Sequence, residues 1–284
     1  MEKKRAFPAV VSVDWLLDNI DSTETKVVDA SWFMPGSNRD GYQEWIAERI
    51  PGAVYFDFDG EIKDMDSPLP HMLPSEKSFS DAVGKLGISN GDTIIIYDSQ
   101  GIFSAPRVWW MFKVMGHKNV AVLDGGLPAW KASGGRIDTS LPAENTSVTY
   151  RANLVPNRLI TADELLGILD DPGFQVVDAR PADRFYARQP EPRQGVRAGH
   201  MKNAINLPFS DLLENGSLIR RDSLNAKLTS ILRSDTTIVT SCGSGVTACI
   251  LALVIEHSLG RCCRVYDGSW SEWGGSSHLP VVTD

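Results

Sequence analysis

The chain of 284 residues is 42% hydrophobic and 23% charged, a soluble, globular composition with room for one large domain or two of ordinary size. Its formal net charge of -8 argues against a nucleic-acid or anionic-membrane surface as the main partner, so any anion site has to be local. No apolar run approaches the roughly 20 residues that span a bilayer, and four cysteines, two of them adjacent, do not make a disulfide framework; the expected compartment is a reducing cytoplasm.

At the N-terminus, Met1-Glu2-Lys3-Lys4-Arg5-Ala6-Phe7-Pro8 is basic but lacks the apolar core of a signal peptide. The segments that follow come in two series. Val27-Val28-Asp29-Ala30 recurs as Val176-Val177-Asp178-Ala179, and Pro51-Gly52-Ala53-Val54-Tyr55-Phe56 is echoed by Lys202-Asn203-Ala204-Ile205-Asn206-Leu207. Thr93-Ile94-Ile95-Ile96-Tyr97-Asp98 returns as Thr237-Ile238-Val239-Thr240-Ser241-Cys242. Val122-Leu123-Asp124-Gly125-Gly126 with Trp130 returns as Val265-Tyr266-Asp267-Gly268-Ser269 with Trp273. Matches in the same order at similar offsets make the chain two copies of one domain. Runs such as Thr93 to Tyr97 read as strands buried on both faces, which is the parallel α/β pattern, with ligand loops at their carboxyl ends. Residues 141–158, with Pro142 and Pro156 and little periodicity, read as a linker between domains 1–140 and 159–284.

Cys242 stands where the second copy's apolar run Thr237 to Ser241 gives way to the small-residue loop Cys242-Gly243-Ser244-Gly245-Val246-Thr247 and a helix-like stretch from Ala248 to Ser258. Backbone N–H groups and the positive end of a helix dipole converge at such a junction and favour a thiolate nucleophile. The first copy has Asp98 there, a carboxylate that cannot do thiol chemistry, so the first domain reads as silent and the second as active. Cys249, Cys262 and Cys263 fit small core residues. Five scattered histidines and no pair of CxxC elements leave no expected metal site, and no cofactor is expected.

Further strings carry a family resemblance. They are Ala105 to Phe112, Leu123-Asp124-Gly125-Gly126-Leu127-Pro128-Ala129-Trp130, Gly199-His200, Cys242 to Thr247, and Tyr266-Asp267-Gly268-Ser269-Trp270-Ser271-Glu272-Trp273. On these the chain resembles the tandem-domain rhodaneses, and among them the 3-mercaptopyruvate sulfurtransferases, over nearly its whole length. The fold implied is two tandem rhodanese-like α/β domains, each a parallel sheet flanked by helices. The resemblance implies a Cys242 persulfide, formed from 3-mercaptopyruvate with release of pyruvate. Its sulfur passes to cyanide, a small thiol or a thioredoxin-like protein.

The resemblance also assigns roles. Arg184 and Arg193 match the positions that bind the substrate carboxylate and carbonyl, and guanidinium forks suit a planar carboxylate. Arg180, Arg188 and Arg197 read as structural or solvent-facing. Gly243, Gly245, Val246 and Thr247 line the substrate, with Gly243 and Ser244 standing where thiosulfate-using relatives carry cations. His71, in Pro70-His71-Met72-Leu73-Pro74, matches a histidine that pairs with Ser244 and an upstream aspartate in a triad-like relay. Asp59 is the expected aspartate, with Asp57 the alternative because the spacing to His71 is one residue longer than the family pattern. Thiosulfate sulfurtransferase and a non-catalytic persulfide carrier remain alternatives. A phosphatase of the same fold would need an arginine where Ala248 stands.

Overall fold

The computed structural model describes residues 6–283; the basic string Met1 to Arg5 and the last residue, Asp284, lie outside the described residues. Two compact units result. Residues up to Met65, Leu73–Val155 and Asn215–Ser217 form the first, while Asp66–Met72, Pro156–Glu214 and Leu218 onward form the second. Among the described residues no helix is long and apolar enough to cross a membrane.

The β-branched runs set the sheets. In the first unit the strands are β1 (Val10–Val11), β2 (Thr25–Asp29), β3 (Val54–Tyr55), β4 (Thr93–Tyr97) and β5 (Val120–Leu123). They pair in parallel in the order β1-β5-β4-β2-β3. The helices are α1 (Val13–Asn19), α2 (Gly41–Ala47), α3 (Glu76–Lys85), α4 (Ala105–Val114) and α5 (Gly126–Ala132). Ile94, Ile95, Ile96 and Tyr97 of β4 are fully buried, as expected of a central strand covered on both faces.

The second unit repeats this plan with β6 (Leu159–Ile160), β7 (Phe174–Asp178), β8 (Ile205–Asn206), the short ribbon strands β9 (Leu213–Glu214) and β10 (Ser217–Leu218), β11 (Thr237–Ser241) and β12 (Arg264–Tyr266). Its five-stranded parallel sheet runs β6-β12-β11-β7-β8, the same order strand for strand. The helices are α6 (Ala162–Ile168), α7 (Ala182–Phe185), α8 (Arg221–Ile231), α9 (Ala248–Leu259) and α10 (Ser269–Trp273). Thr161 and Glu164 close a reciprocal capping box that fixes the start of α6. Trp130 and Trp273 are equivalent core rings, and each donates its indole N–H to a backbone carbonyl, of Arg136 at 2.8 Å and Pro280 at 2.7 Å.

The segment 141–158 meets the division between units at Val155 and Pro156. Before that point it runs against the first unit, with N–H bonds from Val148 to Gly84 (2.9 Å), Asn153 to Met115 (3.0 Å) and Val155 to Val114 (2.7 Å). Tyr150 is buried there beside Phe79 and Phe112. Polar, aperiodic composition hides this docking, because one aromatic ring and hydrogen bonds to the segment's main chain, including those accepted by the side chains of Asn90, Ser80 and Glu76, hold it in place.

The copies share a buried carboxylate but surround it differently. Asp178, closing β7, accepts the backbone N–H of Arg180 at 2.9 Å and is neutralised by the Arg180 guanidinium at 2.8 Å. Asp29, closing β2, makes the same turn with the N–H of Ser31 at 2.8 Å, but serine brings no charge. Burial, with a contribution from nearby Asp98, pushes Asp29 up to about 6. A carboxyl raised above its unfolded value of 3.8 contributes stability that is complete below that pH and is lost as pH rises through 6. Asp29→Asn keeps an acceptor for Ser31 and removes the buried charge. It should therefore stabilise the first unit at pH 7–8 by about 2–3 kcal/mol, a gain that vanishes near pH 4. Thermal unfolding of both proteins across that range measures it, and an equal difference at both ends would contradict the cause given.

Candidate active site

Cys242 directly follows β11, the strand between β7 and β12, and is 1% exposed. Three loops at the carboxyl ends of these strands are tied to one another. The N–H of Ala179, after β7, bonds the carbonyl of Ser241 at 2.8 Å, and the N–H of Trp270, after β12, bonds the carbonyl of Cys242 at 2.9 Å. Ser271 holds the Gly243 carbonyl twice, through its N–H at 2.8 Å and its hydroxyl at 2.6 Å. Gly245 turns the loop with a φ of 80°, which suits glycine, and α9 then leaves with its N-terminus toward the cysteine.

The first copy displays what such a loop binds. Asp98 accepts the backbone N–H of Gln100 at 2.9 Å on one oxygen, and those of Phe103, Ser104 and Ala105 at 2.8, 2.9 and 2.9 Å on the other. An internal carboxylate thus fills the anion cradle of the first unit. In the second unit the equivalent N–H groups, counted from the strand end and the helix start, belong to Ser244, Val246, Thr247 and Ala248. They have no acceptor among the described residues. Cys242 holds the chain position that Asp98 holds in the first copy, and donors arranged in this way suit an anion.

Arg184, on α7, lies against the loop: a Cβ added to Gly243 would stand 3.2 Å from its Nη2. The missing side chain therefore admits the guanidinium, and a residue larger than glycine at 243 pushes on it. Arg184 is paired with Glu191, as is Arg180 at 2.9 Å. Arg193 makes no side-chain hydrogen bond or ion pair among the described residues. Arg180 is a buried structural residue, and its guanidinium lies 4.2 Å from the Trp270 ring. Arg197 binds the carbonyls of Trp273, Ser276 and Leu279, and Arg188 is exposed beside Asp183.

Ser244 is 8% exposed, and its hydroxyl makes no hydrogen bond among the described residues, so it is not bonded to His71 here. His71 is buried, with a left-handed φ of 60°, in the segment Asp66–Met72 that folds with the second unit. Asp59 belongs to the first unit and accepts the Trp32 indole N–H at 2.8 Å; Asp57 is committed to its own turn, accepting the N–H groups of Asp59 and Gly60 at 3.2 and 2.7 Å. A cavity of about 790 Å³ in the first unit, lined by Tyr42, Trp45 and Tyr55 with Asp40 and Asp57, holds no cysteine and carries the wrong charge for an anionic donor.

All four cysteines are free. Cys249 is buried and directs its thiol to the Gly245 carbonyl at 3.1 Å, and burial pushes the Cys263 thiol far up. Cys262 is a correction to the core reading: it is exposed, because the chain turns over the surface after Gly260 and only Cys263 faces inward.

One residue beside Cys242 carries no functional signal in the sequence. Ser269 is fully buried, accepts the Cys242 N–H at 3.2 Å, donates to the Tyr266 carbonyl at 2.8 Å, and lies 4.0 Å from the sulfur. Its φ of 47° is strained for a serine, and the first copy has Gly126 with φ 53° at that position. Glycine is the unstrained choice, so the hydroxyl is kept against a backbone cost. The comparison of Gly126 with Ser269 was available in the sequence, but positive φ is not. Ser269→Gly relieves the strained φ but strips the buried Cys242 N–H of its acceptor, so the two effects should largely offset and change stability by no more than about 2 kcal/mol, while slowing reaction of Cys242 with its sulfur donor about tenfold. Melting temperature and single-turnover rate together check this; an undiminished rate would make the hydroxyl structural.

The rhodanese-like domain family model matches residues 12–133 and 161–276. The chain is 41% identical to thiosulfate/3-mercaptopyruvate sulfurtransferase 1, mitochondrial, of Arabidopsis thaliana, over 96% of this chain and 77% of that one. It is 40% identical to the 3-mercaptopyruvate sulfurtransferase of Mus musculus, over 96% and 94%. Among solved structures, SseA from Escherichia coli, described as a 3-mercaptopyruvate sulfotransferase, superposes with a TM-score of 0.84 at 35% identity, covering 93% of this chain and 99% of that one.

Proposed function

This chain belongs to the rhodanese-like family and is a sulfur-transferring enzyme, and from that premise we propose that its physiological donor is 3-mercaptopyruvate, with Cys242 as the sulfur carrier. The thiolate of Cys242 attacks the donor sulfur, the carbon–sulfur bond breaks, and its electron pair leaves as the enolate of pyruvate, which takes up a proton. The N–H groups of Ser244, Val246, Thr247 and Ala248 hold the anionic persulfide. Arg184 and Arg193 bind the donor carboxylate and carbonyl, and Gly243, Gly245, Val246 and Thr247 line its path. Ser244, His71 and Asp59 handle the proton. A second thiophile, cyanide, a small thiol or a reduced thioredoxin-like protein, then removes the outer sulfur, which gives ping-pong kinetics. The free cysteines suit a reducing cytoplasm, the compartment we propose.

The observation that carries the donor choice is Arg184 beside a glycine at 243, a planar fork next to the nucleophile with no loop cation between them. Initial rates with 3-mercaptopyruvate and with thiosulfate test it, followed by the mass of the peptide carrying Cys242. The expected result is a higher kcat/KM for 3-mercaptopyruvate and one added sulfur atom. A preference for thiosulfate overturns the donor choice, and absence of turnover with either small molecule favours a carrier loaded by a partner protein.

A further inference from the structure

We infer that Glu191 is a specificity-determining residue that sets the charge of the donor this site accepts; the inference rests on the sulfur-donor reading above. Glu191 is almost fully enclosed, with its side chain 3% exposed, and it lies between two arginines. Its Oε1 accepts from Arg180 Nη1 at 2.9 Å and Arg184 Nε at 3.3 Å, and its Oε2 accepts from Arg184 Nη2.

Arg180 is already spent elsewhere. Its Nε bonds both oxygens of Asp178 at 3.1 and 3.0 Å, its Nη2 bonds the Gly199 carbonyl at 2.8 Å, and its charge is matched by Asp178. The charge of Glu191 therefore falls on Arg184. With Arg180 balanced by Asp178 and Arg184 by Glu191, the cation left over in this group is Arg193. Arg184 still presents N–H donors beside Gly243, held in a fixed plane by Glu191, so it offers directional hydrogen bonds with little net charge. Such a site is matched to a monoanion carrying a carboxylate and a ketone. A dianion such as thiosulfate needs a second uncompensated cation, and Glu191 withholds it.

Glu191→Gln tests this, because glutamine keeps the shape and one acceptor while freeing the Arg184 charge. The ratio of kcat/KM for thiosulfate over 3-mercaptopyruvate should rise about fivefold at low ionic strength and fall back as salt is added, since one more unit of ligand charge gains from one more unit of site charge. Arg184→Gln in the otherwise unchanged chain should move the ratio the opposite way, and it keeps the inference testable if the first variant does not fold. Binding of pyruvate and sulfate, measured by calorimetry on the same proteins, should follow the same order without turnover. A salt-sensitive rise supports the inference. An unchanged ratio in folded Glu191→Gln, or an equal loss with both donors, overturns it and leaves Glu191 structural. Wild-type turnover on 3-mercaptopyruvate tests the donor reading separately, and the pyruvate and sulfate titrations stand even where that reading fails.

Discussion

Cys242→Ser should abolish sulfur transfer, with kcat falling by on the order of 10⁴-fold or more, as removal of a covalent nucleophile does. It should also abolish the mass gain of one sulfur atom after incubation with donor. The substitution is nearly isosteric at a site 1% exposed, and the Cys242 N–H keeps its bond to Ser269, so folding should be retained. Cys249→Ser, Cys262→Ser and Cys263→Ser should each keep most activity. Cys249 points its thiol into a backbone carbonyl, Cys263 is buried with its thiol pushed far up, and Cys262 lies at the surface. Persulfide on another cysteine of the Cys242→Ser protein, with turnover intact, would defeat the assignment.

Asp98→Ala should destabilise the first unit by about 4 kcal/mol or more, because it strips the acceptor from four backbone N–H groups at once, and each buried unsatisfied donor costs about 1–3 kcal/mol. Three of those donors share a single carboxylate oxygen at 2.8 to 2.9 Å. Burial raises the Asp98 carboxyl above the usual range while these same N–H groups pull it down, so part of the gain is already offset in the native protein. Asp98→Asn keeps an oxygen for some of the donors but turns an amide N–H₂ toward the others, and should fall between the two. Denaturant unfolding followed by the tryptophans of the first unit measures both. A loss below about 1 kcal/mol for alanine would mean that water replaces the carboxylate in the cradle.

The sequence by itself determined the duplication and the parallel α/β plan, and it singled out Cys242 as the candidate nucleophile. Duplicated strands repeat at the level of residue type, because a strand covered on both faces takes apolar and β-branched residues through its buried centre, and Ile94 to Ile96 and Ile238 to Thr240 both obey that constraint. Cys242 stands out because Asp98 replaces it in the other copy, a contrast readable without coordinates. Tertiary structure alone decided which groups meet. Glu191 reads as one more charge in an arginine-rich loop, yet it is buried between Arg180 and Arg184. Ser269 reads as a variant of Gly126, and its value lies in a left-handed φ and a hydroxyl beside the sulfur. Asp29 and Asp178 read alike, but Arg180 folds back on only one of them. Each of these depends on distances set by loops returning from different strands, and neither periodicity nor composition encodes the spacing of side chains far apart in the chain. Local pattern fixes the strands because burial acts on every residue of a strand, whereas a site is fixed by the few pairwise contacts that packing creates.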